Sequence, residues 1–243
     1  MSKIYADTIE TESSNVDITL GAAGDAVLIP SGATLKTNKI ADAGANNIFT
    51  SNGSGTLTVN SAFGGAMNLL ATNTFTDQAS SSFTTLIDST YDVYIFKFIN
   101  INPATNVTEF QFQCSTDGGS NYNLTTTTTY FIAYHNETGT NSGLDYSTTF
   151  DQAQGTAYQT LVQDIGDDSD SSGNGELHLF APSSTVFMKQ FYTRANVNNG
   201  DEYTNNTYVG GYFDTTSAIN AISFKMSSGN MDGIIKMYGI SKS

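Results

Sequence analysis

The sequence predicts an all-β chain: an antiparallel β-sandwich or jelly-roll head preceded by a short-stranded N-terminal stem. Three observations carry that expectation. From about Phe75 onward, about ten short runs rich in β-branched and aromatic residues recur between turns built from Gly, Asn, Asp and Ser. No long window shows the 3.6-residue apolar period of an amphipathic helix, which excludes an α/β fold. Hydrophobic residues make up 38% of 243 residues and aromatics 12%, with only 3 prolines, so a core and uninterrupted strands are both within reach.

The elements follow in order. Residues 1–65 hold short alternations, Val16-Ile18-Leu20, Val27-Ile29 and Leu57-Val59, separated by GAAGDA, PSGAT, ADAGANN and SNGSGT turns. Strands of this length bury little alone, so they read as rungs of a stem that stacks on neighbouring copies, or as a mobile Gly-rich leader with transient strands. AFGGAMNLLATNTF (62–75) reads as a hinge at Gly64-Gly65, with MNLLA either a short helical turn or the first strand. The head, 66–243, then runs through SFTTLID, YDVYIFKFI, VTEFQFQCS, TTTTYFIAYH, YQTLVQDIG, GELHLFAP, TVFMKQFYTRAN, NTYVGGYFD, AINAISFKMSS and GIIKMYGIS. The stretch 86–123 reads as a hairpin: Pro103 ends its first strand, and Gly118-Gly119 supply the positive-φ positions of the closing turn. Ser228-Gly229-Asn230 reads as the turn of a terminal hairpin.

Composition narrows the function. Lys+Arg 9 against Asp+Glu 23 gives a net charge of −14, which repels phosphate backbones and anionic headgroups; neither nucleic acid nor membrane insertion is expected. Charged residues are 13%, against roughly 25% in ordinary soluble domains, so the surface must be built from Asn, Thr, Ser, Gln and Gly. Cys114, the single cysteine, has no intrachain disulfide partner and reads as a buried thiol.

Candidate sites are few. The loop 164–176 offers alternating oxygens at Asp168, Asp170 and Ser172, matching the first half of a calcium loop, but its twelfth position is Leu179. Glu176 is the carboxylate left to complete a different calcium arrangement; the alternative is a solvated loop between strands. His135 and His178 stand on separate strands without metal-ligand spacing, and no G-x-S-x-G elbow occurs. No cofactor and no catalytic residue is expected. Tyr203, Asn205, Asn206 and Tyr208 fall in one Asn-rich stretch, and Tyr134 and Tyr146 flank another. Aromatic faces stack on sugar rings and amides bridge hydroxyls, so these six are the ligand-binding candidates.

In chain order, TYDVYIFKFININPATN, STDGGSNY, DIGDDSDSSGNGELHLFAPSS and the closing ISFKMSSGNMDGIIKMYGI resemble a pattern of bacteriophage virion and tail-fibre proteins, and ADTIETESSNVDITLGAAGD…IPSGATL is similar to the attachment stem of marine-phage fibres. The resemblance spans about residues 83–240, roughly two-thirds of the chain. It implies a virion structural protein, made in the host cytoplasm and carried on the tail as a homotrimeric fibre or appendage subunit. Its N-terminal segment would trimerise and attach to other tail proteins, while the head meets a host-surface glycan or protein. The alternatives are a capsid-decorating or connector protein without receptor role, and a carbohydrate-active enzyme.

Overall fold

A computed structural model describes residues 39–41, 47–51, 54, 57–59 and 66–242. The chain divides into two units, Met1–Phe63 and Gly64–Ser243. In the first, β1 (Lys39–Ala41), β2 (Asn47–Ser51) and β3 (Leu57–Val59) form an antiparallel sheet in that order. The Leu57-Val59 alternation is therefore a strand, whereas the expected rungs at 16–20 and 27–29 and the hinge at 64–65 lie outside the described residues.

The second unit is all β among its described residues. Its strands are β4 (Met67–Gln78), β5 (Ser81–Phe83), β6 (Val93–Pro103), β7 (Thr108–Ser115), β8 (Thr126–Asn136), β9 (Ser142–Tyr146), β10 (Gln159–Ile165), β11 (Gly173–Phe180), β12 (Lys189–Asn198), β13 (Tyr203–Phe213), β14 (Ala221–Met226) and β15 (Met231–Ile240). They form an eight-stranded sheet, β4-β15-β6-β11-β12-β13-β8-β9, and a four-stranded sheet, β10-β7-β14-β5, antiparallel throughout. MNLLA takes the strand alternative, as the start of β4.

Setting aside the hairpins β8–β9 and β12–β13 leaves eight framework strands. Numbered one to eight in chain order, they lie 1-8-3-6 in the large sheet and 2-7-4-5 in the small one. That is the strand order of a jelly roll, two interlocked Greek keys that bring the first and last strands side by side. The two inserted hairpins extend the large sheet beyond β11, past the cover of the small sheet.

This topology corrects the two hairpin expectations. β6 pairs with β15 and β11 in the large sheet, while β7 pairs with β10 and β14 in the small one. The connection through Pro103 is thus a corner between sheets. The same holds for Ser228-Gly229-Asn230, which leads from β14 to β15, and for Gly118 and Gly119, which have the expected positive φ but lead from β7 across to β8. Turn residues report that the chain reverses; they do not report which sheet receives the next strand. Two corners brace each other: Ala104 N–H donates to Asn230 O at 2.9 Å, and Thr108 and Ser227 share a 2.7 Å hydroxyl contact.

The core lies between the sheets. On β6 the alternation turns Tyr94, Phe96 and Phe98 inward, and a bulge at Asn100 (φ 52°) resets the phase so that Ile101 is also buried. Phe224 of β14 sits at the centre, with rings of Phe96, Phe98 and Phe110 within 5.8 Å. Cys114 is fully buried and free, and burial holds its thiol pKa well above the ordinary value.

Candidate functional site

β10 is the last strand of the small sheet on its side, and it packs on β12 and β13. Beyond it, the β9–β10 connection lies on the inner face of the large sheet, its Phe150 packing on Tyr130 at 5.2 Å between ring centres. Between that connection and the sheet opens a cleft of about 570 Å³. Its floor is Ile132 and Tyr134 of β8, Asp145 and Tyr146 of β9, and Tyr203 and Asn205 of β13; Gln163 and the 147–150 segment wall it, and Asn199 and Asp201 rim it.

Register explains why these residues meet. β13 pairs with β8 so that Tyr203 opposes Asn136 and Asn205 opposes Tyr134, and β8 pairs with β9 so that Tyr134 opposes Gly143 and Ile132 opposes Asp145. The Tyr134 ring lies over Gly143, where an added Cβ would stand 2.6 Å from its hydroxyl. Tyr134 and Tyr203 form a tilted pair at 6.2 Å. Each phenol is oriented by a neighbour. Tyr203 accepts from Asn141 Nδ2 at 3.0 Å, and Tyr146 donates to Asp151 Oδ2 at 2.6 Å. A hydrogen bond to Asp145 raises the Tyr134 pKa, and one to Asp151 raises that of Tyr146, so both stay neutral donors at physiological pH.

Asn205 differs from these. It is 4% exposed and lines the cleft, its backbone carbonyl accepting from Asn196 Nδ2 at 3.0 Å.

Of the six ligand-binding candidates, four meet here: Tyr134, Tyr146, Tyr203 and Asn205. Asn206 and Tyr208 do not. Successive strand residues point to opposite faces, so these two project from the outer surface of the same sheet, where Asn206 Nδ2 donates to Tyr208 Oη at 3.0 Å. Asp201, from the same Asn-rich stretch, also lines the cleft, whereas sequence reading missed Asp145, Gln163 and Phe150, which come from other strands and loops.

The calcium candidates are separated in the same way. Asp168 and Asp170 line a hollow with His135, Glu137 and Glu202. Glu176 stands instead on β11, paired with Lys97 Nζ at 3.1 Å and His178 Nε2 at 3.2 Å, contacts that help lower its pKa against the opposing effect of burial. The loop's backbone oxygens are engaged as well: Asn102 Nδ2 donates to Asp168 O at 3.0 Å and Ser171 O at 2.7 Å. Among the described residues no group of three or more His, Cys, Asp or Glu is arranged to hold a metal ion. His178 projects from the outer face and stacks on Tyr192 at 4.6 Å.

No helix among the described residues is long and apolar enough to cross a membrane. In comparisons with protein-family models, curated proteins and solved structures, nothing matches the chain.

Proposed function

We propose that this chain is an attachment subunit of a bacteriophage tail appendage whose jelly-roll head binds a host-surface glycan in the cleft between β8, β9 and β13. The observation that carries the reading is that cleft: Tyr134, Tyr203 and the 4%-exposed Asn205 face one open space of about 570 Å³ that Tyr146 also lines. Tyrosine rings take the apolar face of a sugar, and Asn205 supplies a donor and an acceptor to one hydroxyl pair. A cleft whose floor is built on hydrogen-bonded strands suits recognition without large rearrangement.

The virion assignment rests on the resemblance of residues 83–240 to phage proteins. Jelly rolls are used by capsid and lectin domains alike, which agrees with that assignment by analogy of fold alone. In this reading residues 1–65 trimerise and attach to the tail, and the head binds without cleaving.

Two measurements test the proposal. The full chain on an array of bacterial surface oligosaccharides is expected to bind a discrete set, lost in Tyr203→Ala and in Asn205→Ala, with the bound glycan recovered uncut. Particles labelled at the C-terminus should show label on the tail. Capsid label would make the protein a decorating subunit, and shortened glycan would make the cleft an active site.

A further inference from the structure

The outer face of the large sheet carries a second arrangement that the cleft does not use. Strand pairing sets Lys236 beside Lys97, Lys97 beside Glu176, Glu176 beside Arg194, Arg194 beside Tyr208, and Tyr208 beside Phe131. These six residues form one straight row across six strands, roughly 24 Å long at the usual inter-strand spacing.

The row holds three of the head's six cations, of which Lys97 is paired with Glu176 and Lys236 and Arg194 are not in an ion pair among the described residues. Lys189 is buried, with its ammonium donating to Phe187 O and Thr215 O; Lys225 lies over the Tyr158 ring; Lys242 pairs with Asp92. The other three head cations are Lys97, Arg194 and Lys236. Only Glu176 offsets them, so the row is locally cationic on a chain of net charge −14. Placing Lys236 and Lys97 directly opposite each other works against folding, because like charges in register repel.

Arg194 is held ready for a ligand. Its guanidinium lies 5.6 Å from the Tyr208 ring centre, and Tyr208 is in turn stacked on Phe131 at 4.9 Å and 8°. Among the described residues only its Nε has a hydrogen-bond partner, Asn206 Oδ1 at 3.5 Å, which leaves the terminal fork open to a carboxylate. Beside it the surface dips into a hollow of about 420 Å³ that reaches Lys97, Glu176 and Asn206.

We propose that this row binds a carboxylate-bearing polysaccharide lying across the strands, with carboxylates at Lys236 and Arg194 and apolar sugar edges along Phe131. Charge spacing selects this ligand over a nucleic acid. Nucleic acid carries a charge about every 3.4 Å along each strand, and such a chain would place phosphates on Glu176 and on the uncharged aromatic end. A sparse polyanion can straddle both. The site lies on the opposite face from the cleft and does not depend on it.

The test is titration of the full chain with a hyaluronan octasaccharide, in which carboxylate-bearing sugars alternate with neutral ones, and with oligothymidylate as a second polyanion. The octasaccharide is expected to bind, with affinity falling at least about tenfold in the double variant Lys236→Gln/Arg194→Gln. Lys236→Arg should keep the affinity, as should the cleft variant Tyr203→Ala. Both substituted positions are at the surface, and matched thermal midpoints would show that the fold is retained. Absence of octasaccharide binding would overturn the proposal. So would equal affinity in the double variant, an equal loss in Tyr203→Ala, or oligothymidylate binding as tightly as the sugar acid.

Discussion

Replacing Phe224 by Ala tests the joining of the two sheets. Phe224 is fully buried on β14 of the small sheet, and its ring meets Phe96 at 5.6 Å and Phe98 at 5.4 Å, both from β6 of the large sheet. It also stacks on Phe110 at 5.8 Å, from its neighbour β7. Truncation of a core Phe costs about 3–5 kcal/mol, and the loss of several ring pairs at a site that cannot collapse puts Phe224→Ala near the top of that range. Against a domain stability of about 5–15 kcal/mol, that is a large fraction. Urea unfolding followed by tyrosine fluorescence should lose about 4–5 kcal/mol, and the thermal midpoint should fall by roughly 10–15 °C. Phe224→Leu should lose only about 1–1.5 kcal/mol. Phe187, 71% exposed, serves as the control, and its change to Ala should stay within about 0.5 kcal/mol. A loss below about 1.5 kcal/mol for Phe224→Ala would refute the packing of Phe224 on β14 against β6 across the two sheets.

Three further outcomes are expected. Hydrogen bonds from Ser115 and Asn121 hold the Asp117 carboxyl down to about 2. Because that is below its value of about 3.9 in an unfolded chain, its contribution is complete above about pH 4 and disappears as pH falls toward 2; carboxyl NMR should titrate it there, and Asp117→Asn should flatten the acid limb of stability. Burial pushes the Tyr130 phenol well above its ordinary value, and its hydroxyl, beside that of Thr207, is buried without a formed hydrogen bond. The folded state therefore keeps a proton that the unfolded state loses, so stability falls as pH rises past about 10; Tyr130→Phe should reduce that slope while changing neutral-pH stability by about 1 kcal/mol or less. Gly143→Ala places a methyl 2.6 Å from the Tyr134 hydroxyl and should displace that ring, lowering glycan affinity on the array while the thermal midpoint moves by only a few degrees.

The strands were legible because their signals are local. In YDVYIFKFI the alternation of Tyr94, Phe96 and Phe98 marks the buried face without knowledge of any partner. The jelly roll was legible only as a class. Pro103 and Gly229 mark reversals, but whether a reversal makes a hairpin or a corner depends on which distant strand completes the sheet, and the place of β15 between β4 and β6 is set by pairings such as Ile240 with Met67 and with Val93, far apart in the chain. The cleft was half legible for a different reason. Tyr203, Asn205, Asn206 and Tyr208 sit together in sequence, yet the two-residue period of β13 sends them to opposite faces. Asp145 and Gln163 reach the cleft through pairings and packing that no local pattern encodes. The cationic row was invisible, since Lys236, Lys97 and Arg194 are each isolated in sequence and meet only through register.

The most direct measurement of cleft binding is NMR of the full chain with ring-labelled tyrosines, titrated with the tightest-binding array oligosaccharide. Ring signals of Tyr134, Tyr146 and Tyr203 should shift together and saturate with one affinity, while Tyr91 and Tyr238, which do not line the cleft, stay in place. Shifts confined to tyrosines outside the cleft, or no shift at saturating sugar, would contradict it.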